Sequence, residues 1–179
     1  MSEIKSTLDL VMEKTRDLNL SREERDAQRT EDIRKTLRGM IQKYGDRVLR
    51  KDPFLEEFRR LDTIDHLSTE QILRTELLGQ IDLAQDPEAH VAQLELLQWV
   101  CGLKVDGLET VLREFADQQA RVESDRSREL RDTLQTDLNI SGSAVVPNLE
   151  MDAILQEDLH ELQKTYGSRL EAEKTSLQG

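Results

Sequence analysis

The chain reads as an all-α protein: an elongated bundle of long antiparallel helices, coiled-coil-like in their spacing, with a small helical subdomain. Three observations predict this. Apolar residues recur at alternating steps of three and four through most of the 179 residues, which places them on one face of a helix. Charged residues make up 35% and aromatic residues 3% of the chain, a balance suited to narrow apolar stripes rather than a thick core. No period-two alternation persists, so no strand is expected, and no internal repeat is visible.

The elements follow in order. Ile4, Leu8, Val11/Met12 and Leu18 predict an amphipathic helix over 2–18. Asn19-Leu20 breaks it, and Ser21-Arg-Glu-Glu24 matches a capping box, in which the serine oxygen and the glutamate satisfy reciprocal free amides. The helix so opened is predicted over about 22–50. Its first half is polar, and its second carries Ile33, Leu37, Met40/Ile41, Tyr44 and Val48. Residues 1–50 thus form an N-terminal helical arm.

Residues 51–104 read as a compact small subdomain of three short helices. Asp52-Pro53 opens the first, Ser68-Thr-Glu-Gln71 is a second capping box, and Asp86-Pro87 repeats the Asp-Pro device. Gly102 is expected to close the third in a left-handed cap, and Trp99 is expected at its centre. Residues 105–179 read as a long helical hairpin. Asp106-Gly-Leu-Glu109 caps a helix of 107–138 whose apolar stripe is thinned by Gln119 and Arg126. After the connection 139–149, Pro147-Asn148 restarts a helix along Met151, Ile154/Leu155, Leu159, Leu162, Tyr166 and Leu170, with fraying from Glu171. At about 1.5 Å per residue the three long helices would each run roughly 40–50 Å, an antiparallel stalk with the 139–149 connection at its tip.

Charge narrows the function. The net charge of −12 argues against nucleic acid and against anionic membranes, both of which need a basic footprint. It is uneven: 12 Lys/Arg against 10 Asp/Glu in residues 1–50, 5 against 11 in 51–104, and 8 against 16 in 105–179. The near-neutral arm and the acidic remainder would attract one another, within a chain or between subunits. The longest apolar run, Leu96 to Leu103, is far shorter than a bilayer span, and no signal pattern opens the chain. A cytoplasmic protein is expected.

Motifs for chemistry are sparse. Glu157 and His160 form one E-x-x-H pair, the half-motif that di-iron bundles use twice, but no second copy exists. His160-Glu161 is not H-E-x-x-H, because Lys164 stands where the second histidine belongs. Asp62/His66 and Asp86/His90 are spaced i, i+4, although Asp86 reads as a cap. Cys101, the single cysteine, sits on an apolar helix as a small hydrophobe. Ser141-Gly-Ser143 lacks the glycines of a nucleophile elbow, and no phosphate-cradling loop occurs. No catalytic residue, cofactor or metal site is predicted, with Glu157 and His160 the only metal candidates.

From Leu138 to Leu149 the chain carries no charge. The plainer reading makes this a connection whose Ile140, Val145, Val146 and Leu149 plug the end of the bundle, with Gly142 supplying the turn. The sharper reading makes those four residues a contact surface, since the connection is longer than most between bundle helices. The leading functional expectation is a structural or adaptor protein acting through helix-mediated association, with a homodimer as one form. A helical metal protein or enzyme built on Glu157 and His160, and an acidic chaperone-like holder of basic or unfolded clients, are the alternatives.

Overall fold

The computed structural model describes residues 21–64, 69–142 and 145–178. Among them every regular element is helical: six α-helices and two 3-10 turns, with no strand. The predicted helix of 2–18, the cap at Ser68 and the residue His66 lie outside the described residues. The chain divides into two compact units, residues 1–76 and 77–179.

In the N-terminal unit, α1 spans Arg22–Gly45. Its start is the predicted capping box: Ser21 Oγ accepts the Glu24 amide at 3.2 Å, and the Glu24 carboxylate accepts the Ser21 amide at 2.7 Å. The helix stops five residues before the predicted 50. Arg47 turns left-handed, with φ 59°. Its amide donates to the Tyr44 carbonyl at 3.0 Å and the Val48 amide donates to Lys43 at 2.9 Å. These two bonds make a Schellman closure with arginine where glycine is usual. A Cβ in that conformation costs about 1–2 kcal/mol, partly offset by the extra freedom glycine has when unfolded. Arg47→Gly is therefore expected to stabilise the unit by up to about 1 kcal/mol, read from the midpoint of urea denaturation.

Helix α2 covers Lys51–Ile64 and α3 covers Thr69–Gln80, the latter crossing the division between units. The Phe54 amide donates to the Arg50 carbonyl, so Asp52 and Pro53 lie inside the first turn of α2 and not at its cap. Proline is tolerated there because its missing amide would have had no partner. Among the described residues of this unit, the buried apolar side chains are Ile33, Leu37, Met40 and Ile41 on α1, Phe54 on α2 and Leu73 on α3. Tyr44 meets the Phe54 ring edge-on at 5.8 Å. Arg34 and Arg38 both reach the Glu76 carboxylate, at 2.9 and 2.6 Å, tying α1 to α3.

The C-terminal unit begins in the last turn of α3. Asp86 caps a 3-10 turn over Pro87–His90, accepting the Glu88 amide at 3.0 Å, and α4 follows over Val91–Trp99. Gly102 then takes the predicted left-handed conformation, with φ 64°. Helix α5 runs Asp106–Leu138, its N-cap the buried Val105. Asp106 lies within the first helical turn and contributes charge there, not the predicted side-chain cap. Leu94, Leu96, Leu97, Leu108, Val111 and Leu112 are buried, while Trp99 is only half-buried. The centre that the sequence assigned to tryptophan is thus leucine: α4 turns Leu94, Leu96 and Leu97 inward and leaves Val91, Glu95 and Gln98 exposed on the opposite face.

Helix α6 spans Ala153–Gln178 and runs antiparallel to α5. Glu173 lies against Gly107, Arg169 pairs with Glu114 at 2.8 Å, Phe115 meets Tyr166 edge-on at 5.8 Å, and Arg126 binds Asp152 at 2.9 Å. Arg169 also lies 4.8 Å from the Tyr166 ring centre, a cation–π contact. The predicted fraying from Glu171 is not seen. Leu170 is buried, and the Lys174–Glu171 pair at 2.8 Å lies in helix that continues to Gln178.

The register of those contacts shows how the connection runs. Arg126 stands opposite the start of α6, yet α5 continues to Leu138. Those twelve residues extend α5 about 18 Å past the start of α6. Asn139 closes α5 in the left-handed region, with φ 52°. The chain then walks back along the same helix, and its 3-10 turn, Leu149–Met151, packs on α5. The length of the connection follows from this return path.

Candidate functional site

The return segment ends on a latch. Asp152 is extended, with φ −84° and ψ 107°. Its Oδ1 accepts the Leu155 amide at 2.8 Å, and its carbonyl accepts the Gln156 amide at 3.0 Å. Asp152 is therefore the N-cap of α6, in place of the predicted restart at Pro147-Asn148. Arg126 holds it from α5: Nε donates to Oδ1 and Nη2 to Oδ2, each at 2.9 Å, while Nη1 donates to Glu129 at 2.9 Å. The two-pronged contact suits a planar guanidinium facing a carboxylate. With side-chain exposures of 19% and 11%, the pair is sheltered.

Hydrogen bonding from Arg126, then from the Leu155 amide, holds the Asp152 carboxyl below its ordinary value of 3.8. The hydrogen bond to Asp152, with a second to Glu129, raises Arg126 further above the already high arginine value. A depressed carboxyl pKa contributes stability that is complete above the unfolded value and is lost as pH falls through the folded one. The thermal midpoint of the natural protein should thus exceed that of Asp152→Asn above about pH 5. The gap should begin to narrow as pH falls towards the ordinary carboxyl value of 3.8 and close only once pH passes the depressed folded value. Asparagine keeps the capping oxygen, so the difference isolates the charge.

The four residues predicted as a contact surface divide by burial. Val146 is 79% and Ile140 48% exposed, while Val145 and Leu149 are half-buried and Pro147 between them is buried. Ile140, Ser141, Gly142 and Val145 line a shallow groove of about 180 Å³ with Arg131 and Gln135 of α5. Two further exposed apolar side chains follow the segment: Met151 at 81% and Ile154 at 55%. The sequence stripe assigned both to the helix interface; Met151 instead lies before α6, in the 3-10 turn, and Ile154 shares the exposed face of Glu157, Asp158 and Glu161 while Leu155 takes the seam. The missed signal was Arg126 itself, since an arginine in an apolar stripe needs a carboxylate within reach.

Glu157 and His160 are both exposed on α6. Among the described residues, no three His, Cys, Asp or Glu side chains gather in an arrangement able to hold a metal ion. His90 is buried at 1% exposure, with Nε2 2.9 Å from the Asp82 carbonyl. Because a carbonyl only accepts, Nε2 carries the hydrogen. Nδ1 has no hydrogen-bond partner among the described residues. Cys101 is buried. A second groove, of about 290 Å³, is lined by Val91, Leu94 and Leu112 together with Glu88, Glu109 and Arg113. No nucleophile and base converge in either groove.

No described helix is long and apolar enough to cross a membrane. Comparison with protein-family models, curated proteins and solved structures finds no match for the chain.

Proposed function

We propose that the protein is a structural or adaptor component acting through helix-mediated association, and that the α5–α6 hairpin beyond Phe115 takes the partner. The supporting observation is the burial along that hairpin. Between Phe115 and Tyr166 only Pro147 and Leu155 are buried among the described residues. Val122, Leu130, Leu134, Leu159 and Leu162 are half-buried, and Ile140, Val146, Met151 and Ile154 are exposed. Two helices shelter only the seam between them, and a further element is needed to cover the flanks. A contiguous exposed apolar patch marks an association surface, and these four exposed side chains lie close together along the chain, between residues 140 and 154.

The test is a double substitution, Val146→Asp with Met151→Asp. Each side chain would contribute about 1.5 kcal/mol or more if buried against a partner, so capture of partners from native cell extract should fall at least about tenfold. Far-UV circular dichroism should be unchanged, because exposed substitutions cost little. Undiminished capture would refute the proposal.

A further inference from the structure

The exposed apolar residues of the hairpin continue into an acidic stripe. Ile154, Glu157, Asp158 and Glu161 stand at i, i+3, i+4 and i+7 of α6, one helix face. All four are exposed, and no Lys or Arg occurs between Arg131 and Lys164. Glu157 and Asp158 make no ion pair among the described residues, and Glu161 reaches only Lys164, at 4.0 Å. Along the chain the exposed apolar residues Val146, Met151 and Ile154 thus precede the acidic Glu157, Asp158 and Glu161. From Met151 to Glu161 the surface extends about 15 Å, two to three helical turns of a partner.

Charge complementarity selects the occupant. In a symmetric dimer residue i of the patch meets residue j of the other copy. A second copy docked here would thus set Glu157 and Asp158 against carboxylates or against the apolar residues, with no Lys or Arg between Arg131 and Lys164 to receive them. We infer that this face of α6 binds a basic amphipathic segment of another protein, with its apolar residues on Val146, Met151 and Ile154 and its Lys or Arg residues on Glu157, Asp158 and Glu161. The mode is that of an amphipathic helix laid against an apolar surface, and the flexible thioether of Met151 suits a partner of varied shape. This rests on the association reading and adds the chemistry of the partner.

The full-length chain would be titrated with a helical peptide of Leu and Lys in amphipathic spacing, and with its Leu/Glu counterpart. Salt-sensitive binding of the Leu/Lys peptide alone is expected. Glu157→Lys with Asp158→Lys should weaken it about tenfold or more and transfer binding to the Leu/Glu peptide. The same charge change at the exposed Asp117 and Asp132 should leave it within about twofold. Equal loss in both variants, or none in the first, overturns the inference. So does a dimer in light scattering that Met151→Ser dissociates, since a second copy would then occupy the face. If Val146→Asp with Met151→Asp abolishes partner capture from extract and the Glu157/Asp158 reversal leaves it intact, association stands and the basic partner falls. If neither variant changes capture, both readings fall.

Discussion

Phe54→Ala is expected to destabilise the N-terminal unit by about 3–5 kcal/mol, among the largest single-residue effects available in this chain. Phe54 is completely buried, as are Leu37 on α1 and Leu73 on α3, so truncation removes the transfer energy of the ring and leaves a void. Few aromatic side chains exist to refill it: the chain has three phenylalanines, two tyrosines and one tryptophan. Tyr44 loses its edge-on partner at the same time. The measurement is urea denaturation followed by circular dichroism, with Phe54→Leu as the size-conserving comparison, expected to cost less than half as much. A loss below about 1 kcal/mol for alanine would mean that α1 and α2 do not share a cooperative core.

Leu155→Ala is the second, at about 2–4 kcal/mol. Leu155 is 2% exposed on a stretch of α6 whose other leucines, Leu159 and Leu162, are half-buried. Its amide is also the one capped by Asp152. The loss should therefore be local. Amide exchange in the first three turns of α6 should quicken, while α4 and the first turns of α5, built on Leu96, Leu97 and Leu108, keep their protection. Uniform loss of protection across the C-terminal unit would show that the hairpin and its base unfold as one.

Some signals confined to a few neighbouring residues were legible in the sequence, although Asp52-Pro53, Asp106 and Pro147-Asn148 misplaced the caps of their helices. The Ser21–Glu24 box, the Asp86 cap and the left-handed Gly102 each depend on a short stretch of chain and appear where expected. Features set by distant residues were not. Arg126 and Asp152 are 26 positions apart, and Asp152 has no Glu or Gln three residues on to flag a cap. Arg47 was hidden because glycine, the residue that advertises a left-handed closure, stands two positions earlier at Gly45. Met151 is exposed because α6 begins after it, and Ile154 because Leu155, not Ile154, takes the seam, a choice that the adjacent pair Ile154/Leu155 leaves open in the sequence. The candidate surface was thus half visible: Ile140 and Val146 came from composition, but the acidic stripe acquired meaning only once the register of α6 was known.

The backward walk from Leu138 to Asp152 acts as a ruler. Its length determines which residue of α6 first meets α5, and hence whether Arg126 meets Asp152 and Phe115 meets Tyr166. Surface connections between helices usually absorb insertions and deletions with little effect. In this connection, removing residues would slide one helix along the other or tear the cap from its arginine. Chain length between residues 139 and 151 therefore bears on the register of the two helices as a core side chain bears on packing, although most of the described residues there face water.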